Sequence, residues 1–131
     1  FYSNTTESEE YLDFLQFLGD RTNLKDFKGY TGGLPKRYNE GEEGWESVLT
    51  IFHSFEICFH CANLLPYSDI NEQQLERKRY IGNDIVVIVF KESDEPWDAS
   101  VMKSEFNHVY VVVQPLKIEG EPHYRLEIIQ I

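Results

Sequence analysis

The stretch RKRYIGNDIVVIVF, residues 77–90, holds the side chains best placed to do chemistry: three consecutive bases, Arg77, Lys78 and Arg79, then Asn83 after a glycine, then an unbroken apolar run. The chain carries 12 Lys and Arg against 23 Asp and Glu, a formal net charge of −11, so a quarter of its positive charge falls on three adjacent positions. A local basic patch on an anionic domain would steer and orient an acidic partner surface. A carboxamide offers an acceptor oxygen and a donor NH₂ on one short, uncharged side chain, and it does not titrate. At the exposed end of a helix and braced by a buried strand, it could be held stiffly enough to enter another molecule's pocket. Plainer readings exist for the same residues. Gly82-Asn83 is a common helix stop, because both types tolerate left-handed backbone geometry, and a basic triplet is often a solvated helix face or a complement to the helix dipole.

Other chemistries find little support. No Ser/His/Asp ordering or nucleophile elbow is present, and the four histidines are scattered. Carboxylates are too abundant for any pair to stand out. Cys58 and Cys61 have the spacing of half a zinc site, but no second Cys/His pair completes it, and in a strand an offset of three sends them to opposite faces. They read as two buried, reduced thiols. The Gly-rich piece KGYTGGLPKR lacks the Gly-Lys-Ser/Thr ending of a phosphate-binding loop. Asn4-Thr5-Thr6 matches a glycosylation sequon of a kind short chains often contain by chance, and it is discounted in an intracellular reading.

The 131 residues suffice for one domain with a real core, and both ends look cut from a longer protein. Scattered bases argue against nucleic acid. No apolar run approaches the roughly 18 to 20 residues that span a bilayer, and no secretory pattern opens the chain, so the expectation is a cytoplasmic domain without membrane insertion.

The elements that would position these residues follow from periodicity. Tyr11, Phe14, Leu15 and Leu18 make one stripe of an amphipathic helix over 7–18, with Thr6 and Glu9 as its capping box. Residues 19–44 hold six of the eight glycines and read as a long loop region. Residues 46–53 and 55–61 read as paired strands with a tight reversal. A largely solvated helix follows Pro66, with Leu75 its sole apolar residue between Ile70 and Tyr80. Residues 84–90 and 108–114 read as buried central strands, separated by a short helix around Pro96, Trp97, Val101, Met102 and Phe106. A last strand, 123–131, follows a turn at Gly120–Pro122. The sum is a mixed α/β domain with a central mixed sheet of about five strands and flanking helices.

LERKRYIGNDIVVIVF (75–90) closely resembles the signature of the Rap GTPase-activating protein domain family, which includes the Rap-directed activators and, more distantly, tuberin. DFKGYTGGL (26–34), FHCANLLPY (59–67) preceded by Glu56-Ile57, and FNHVYVVVQP (106–115) resemble the same family in the same order, so the resemblance runs from about Leu18 to Gln114. It implies a single G-domain-like catalytic domain over residues 1–131, incomplete at the C-terminus, where the family's helical portion is missing. Any homodimer would form through regions outside this chain.

The resemblance also implies an activity. Most Ras-like GTPases orient the attacking water with their own glutamine, and most activators add an arginine finger. The Rap activators instead supply an asparagine, the "Asn thumb", to a GTP-bound Rap-like GTPase. Asn83 stands at that position, and Arg77, Lys78, Arg79 and Tyr80 fall in the segment that binds the GTPase. Tyr80 replaces the histidine of the commonest family form, keeping a hydrogen-bonding tip but losing a group that can be cationic near neutral pH. His60 is read as structural, and Lys28, Tyr30, Gly32 and Gly33 as shaping a loop near the site. The domain needs no metal or cofactor of its own, because GTP and Mg²⁺ belong to the partner. Two alternatives stay open: a non-catalytic GTPase-binding or scaffold module, and an activator of another Ras-like GTPase such as Ral or Rheb.

Overall fold

The computed structural model describes residues 7–25, 27–35, 45–65, 75–102 and 104–131. The chain divides into two compact units, Phe1–Arg77 and Lys78–Ile131. The class is mixed α/β, as expected, but the described strands fall into two three-stranded sheets rather than one sheet of about five.

In the first unit, helix α1 (Glu9–Leu18) starts at Ser8. The Ser8 hydroxyl accepts the Tyr11 N–H at 3.1 Å, while Glu9 and Glu10 put negative charge at the positive end of the helix. The cap expected at Thr6 thus falls to Ser8; Thr6 and the Asn4 sequon lie outside the described residues. The expected stripe forms: Phe14 and Leu15 are buried, and Leu15 packs with Val48 and Cys61 while Tyr11 and Leu18 close over them.

A side chain at position 19 would drive its Cβ into the Leu49 carbonyl, so glycine is what lets the helix run directly into a strand. That strand, β1 (Asp20–Asn23), pairs antiparallel with β2 (Glu46–Phe52), Asp20 opposite Leu49. It lies inside the stretch read as loop, because Asp-Arg-Thr-Asn has no apolar alternation and only its pairing with β2 makes it a strand. Residues 26 and 36–44 of that stretch lie outside the described residues. His53 and Ser54, both at positive φ, turn β2 into β3 (Phe55–Phe59), the left-handed pair that suits the twist of a two-residue hairpin.

Strand β3 ends two residues short of expectation. The Ser47 hydroxyl donates to the Phe59 carbonyl, and the Cys61 carbonyl accepts from the N–H groups of Leu64 and Leu65, so Cys61 opens a turn. Both cysteines are free thiols; Cys61 is buried, while Cys58 is half-buried with its Sγ 3.1 Å from Ser47 Oγ.

In the second unit, β4 (Val86–Phe90) runs parallel to β5 (Val109–Ile118), and β6 (Glu121–Gln130) runs antiparallel to it. The order β4-β5-β6 makes β5 the centre, with Tyr110, Val112 and Val113 buried along it. Strand β4, expected to be central, lies at the edge among the described strands; an apolar run reports burial and does not name pairing partners. The parallel pair needs a crossover. Among the described residues its helical part is a 3₁₀ turn at Ala99–Val101, where the Asp98 carboxylate accepts the Ser100 N–H. Trp97 packs on Tyr110 with ring centroids 5.2 Å apart. Glu119 and Gly120, both at positive φ, make the last hairpin, so β6 begins two residues before the expected 123.

Burial in the first unit has a consequence for pH. Burial pushes the Cys61 thiol from an ordinary 9.0 up to about 12. Burial also raises the Tyr11 phenol well above its usual range, with Cys61 and Glu7 adding to the shift. Both raised groups keep their protons in the folded state after the unfolded chain would lose them, so their contribution is intact below the unfolded pKa and is lost as pH rises toward the folded one. Denaturant unfolding is therefore expected to show a midpoint that falls as pH rises from about 9 toward about 12, with a shallower fall in Cys61→Ala. A midpoint independent of pH over that interval would contradict this.

Candidate functional site

Helix α2 (Leu75–Gly82) carries the basic segment. The helix expected after Pro66 is described only from Leu75, and residues 66–74 lie outside the described residues. Its interior face is set by the spacing of four residues between Arg77 and Ile81, which lie on one side of a helix; both are buried. Lys78 and Arg79 are turned to solvent.

Arg77, expected among the partner-binding bases, is 2% exposed, and its Nε and Nη2 both donate to the Leu65 carbonyl at 3.3 Å. The sequence could not separate it from its neighbours, because three adjacent bases on a helix look alike until its interior face is known.

Arg79 and Tyr80 do come together. Arg79 Nη2 donates to the Tyr80 hydroxyl at 2.6 Å, and the guanidinium carbon lies 4.6 Å from the centroid of the Tyr80 ring. Charge-assisted hydrogen bonding and cation–π attraction both hold the guanidinium beside the ring. Arg79 also sits in the last turn, where positive charge suits the helix dipole.

The helix ends at a tight turn. The Asp84 N–H donates to the Ile81 carbonyl at 3.2 Å, and Asn83 occupies the corner, exposed. Neither Gly82 nor Asn83 is at positive φ, so the left-handed helix stop that the pair suggests is not the one used. Among the described residues, none makes a hydrogen bond to the Asn83 carboxamide.

The carbonyls that the ending helix leaves without partners are taken up by side chains from the β4–β5 crossover. Asn107 Nδ2 donates to the Ile81 carbonyl at 3.0 Å and to the Asp84 carbonyl at 2.5 Å, with a longer 3.5 Å approach to Gly82. Ser104 Oγ donates to the Gly82 carbonyl at 2.5 Å and accepts the Phe106 N–H. The exit from the turn is tied down as well, since the Ile85 carbonyl accepts from the N–H groups of His108 and Val109. Ser104 and Asn107 were not singled out from the sequence. The one available signal was a polar residue, Asn107, directly before an apolar strand, and many strands start that way.

In the first unit, His60 Nε2 donates to the Gly32 carbonyl at 2.7 Å, a structural role as expected. Gly32 is at φ 61°, and a Cβ there would lie 2.8 Å from that same Nε2. Among the described residues, no three His, Cys, Asp or Glu side chains gather to hold a metal ion, and no helix is long and apolar enough to cross a membrane.

Comparison with known proteins gives a consistent result. The family described as Rap/ran-GAP matches residues 1–130. The human GTPase-activating Rap/Ran-GAP domain-like protein 3 is 43% identical over 130 residues, covering 97% of this chain and 12% of that protein. RapA guanosine triphosphatase-activating protein 1 of Dictyostelium discoideum is 43% identical over 123 residues, covering 93% of this chain and 11% of that protein. The chain thus spans about an eighth of the length of these relatives. Among solved structures, the TSC2 GAP domain superposes with a TM-score of 0.84 at 28% identity, covering 99% of this chain and 71% of that one.

The contrast between buried Arg77 and exposed Lys78 can be measured. Arg77→Ala leaves a buried carbonyl without its donors and is expected to lower unfolding stability by about 2 kcal/mol or more, whereas Lys78→Ala stays within about 0.5 kcal/mol. Equal effects by denaturant titration would contradict the assignment of Arg77 to the interior.

Proposed function

Because this chain belongs to the Rap/Ran-GAP family, we propose that it accelerates GTP hydrolysis on a GTP-bound, Rap-like small GTPase, with Asn83 as the group it contributes to the reaction. The family match runs through both compact units, and we take residues 1–131 as one GTPase-activating domain acting in the cytoplasm. The observation that carries the reading is the placement of Asn83: exposed, at the corner of a turn, with a carboxamide that no described residue engages.

Phosphoryl transfer asks for positioning and electrostatic stabilisation more than for covalent chemistry. A carboxamide entering the partner's nucleotide site holds the attacking water through its oxygen and a neighbouring acceptor through its NH₂. It needs no proton inventory, so its action is independent of pH across the neutral range. GTP and Mg²⁺ come with the partner. Lys78 and Arg79, solvent-facing bases on a chain of net charge −11, steer and orient an acidic surface around the GTPase switch regions. Tyr80, in the position of the family's usual histidine, fixes where the Arg79 guanidinium is presented.

A second reading has one observation in its favour. With Arg79 drawn onto Tyr80, the domain could bind a GTPase without stimulating it. Single-turnover hydrolysis separates the two. The proposal expects strong stimulation, toward the ~10⁵-fold scale of GTPase activators, and a loss of about 100-fold or more in the rate constant for Asn83→Ala. Lys78→Ala is expected to raise the half-saturating concentration while sparing the maximal rate. Wild type and Asn83→Ala stimulating equally would remove Asn83 from the mechanism. Binding without any stimulation would favour the second reading, and a panel of Rap, Ral and Rheb would show which GTPase is served.

A further inference from the structure

We infer that Asn107 is a positioning residue for GTPase activation, because its buried carboxamide fixes the turn that presents Asn83. The inference rests on the functional reading just given and adds a second asparagine to it, one that never meets the partner.

Asn107 is 3% exposed, so its amide is insulated from solvent. Its two strongest hydrogen bonds go to the Ile81 and Asp84 carbonyls, one on each side of Asn83 in the chain. Gly82, immediately before Asn83, has its carbonyl bound by Ser104. The backbone on both flanks of the exposed residue is therefore clamped from beneath. A helix end at a protein surface could instead satisfy those carbonyls with water, and the turn would then sample several arrangements.

The direction of the Asn107 amide is fixed by what surrounds it. Its Oδ1 is buried and has no hydrogen-bond partner among the described residues. Turning the amide over would set that oxygen against the carbonyls of Ile81, Gly82 and Asp84, acceptor against acceptor, and would lose every donor bond. The residue thus leaves one of its own acceptors unsatisfied while completing the bonds of the turn. An unsatisfied buried polar atom calls for a reason; here it is the price of a rigid thumb. With the backbone fixed, only two side-chain torsions of Asn83 remain to be ordered when the GTPase docks, and the entropy of arranging the turn is already spent on folding.

This account places the effect of Asn107 in the chemical step rather than in partner affinity. Asn107→Asp keeps the shape and replaces the donor with an acceptor facing three carbonyls. In the full-length protein, with GTP-loaded Rap as substrate, it is expected to lower the maximal single-turnover rate by about 10- to 100-fold, leaving the half-saturating concentration within about twofold. The Asn83→Ala/Asn107→Asp double variant is expected to be no slower than Asn83→Ala alone, since a thumb that is absent cannot be misplaced.

Ser104→Ala gives a milder version of the same test and serves if Asn107→Asp does not show a cooperative thermal transition. It too is expected to act on the maximal rate alone and to add nothing to Asn83→Ala. A wild-type rate for Asn107→Asp, losses that multiply with those of Asn83→Ala, or an effect confined to half-saturation would each overturn the inference while leaving Asn83 in place. If Asn83→Ala itself were as fast as wild type, the functional reading would fall first.

Discussion

The structure around Asn83 depends on how one helix is allowed to stop. The last carbonyls of an α-helix have no partners within it, and whatever supplies those partners determines the path of the next few residues. In α2 they are the side chains of Asn107 and Ser104, brought up by the crossover between two parallel strands, together with the Asp84 N–H, which the Ile81 carbonyl also accepts. The backbone leaves the helix at Gly82 without a left-handed residue, turns at Asn83 and enters β4 within three residues. An asparagine at that corner faces outward because the main chain on either side of it is committed inward.

The same helix divides its charges by depth. Arg77 is turned into the protein, where its donors meet the Leu65 carbonyl, whereas Lys78 and Arg79 face solvent. On a chain with 23 acids and 12 bases, these two exposed bases form a local positive patch a few positions before Asn83.

Much of this was legible in the sequence, and the failures share a cause. Helix α1, the β2–β3 hairpin, the central place of β5 and the position of Asn83 at a helix end came from local signals: a stripe of four apolar residues, alternating β-branched and aromatic residues, and a glycine-asparagine pair between a polar and an apolar segment. What could not be read depended on partners distant in the chain. Strand β1 exists through its pairing with β2, 26 positions from its first to its counterpart's first residue. The division into two sheets, the edge position of β4 and the burial of Arg77 are likewise facts about what lies alongside. Asn107 is the sharpest case, since its significance lies in carbonyl oxygens, which every residue has and no sequence marks.

On the proposed mechanism, the turn bearing Asn83 is rigid before a GTPase docks. Backbone ¹⁵N relaxation at Asn83 in the free protein is expected to give an order parameter near ~0.85, equal to that of ordered secondary structure; a value below ~0.6 would mean a turn shaped by its partner instead.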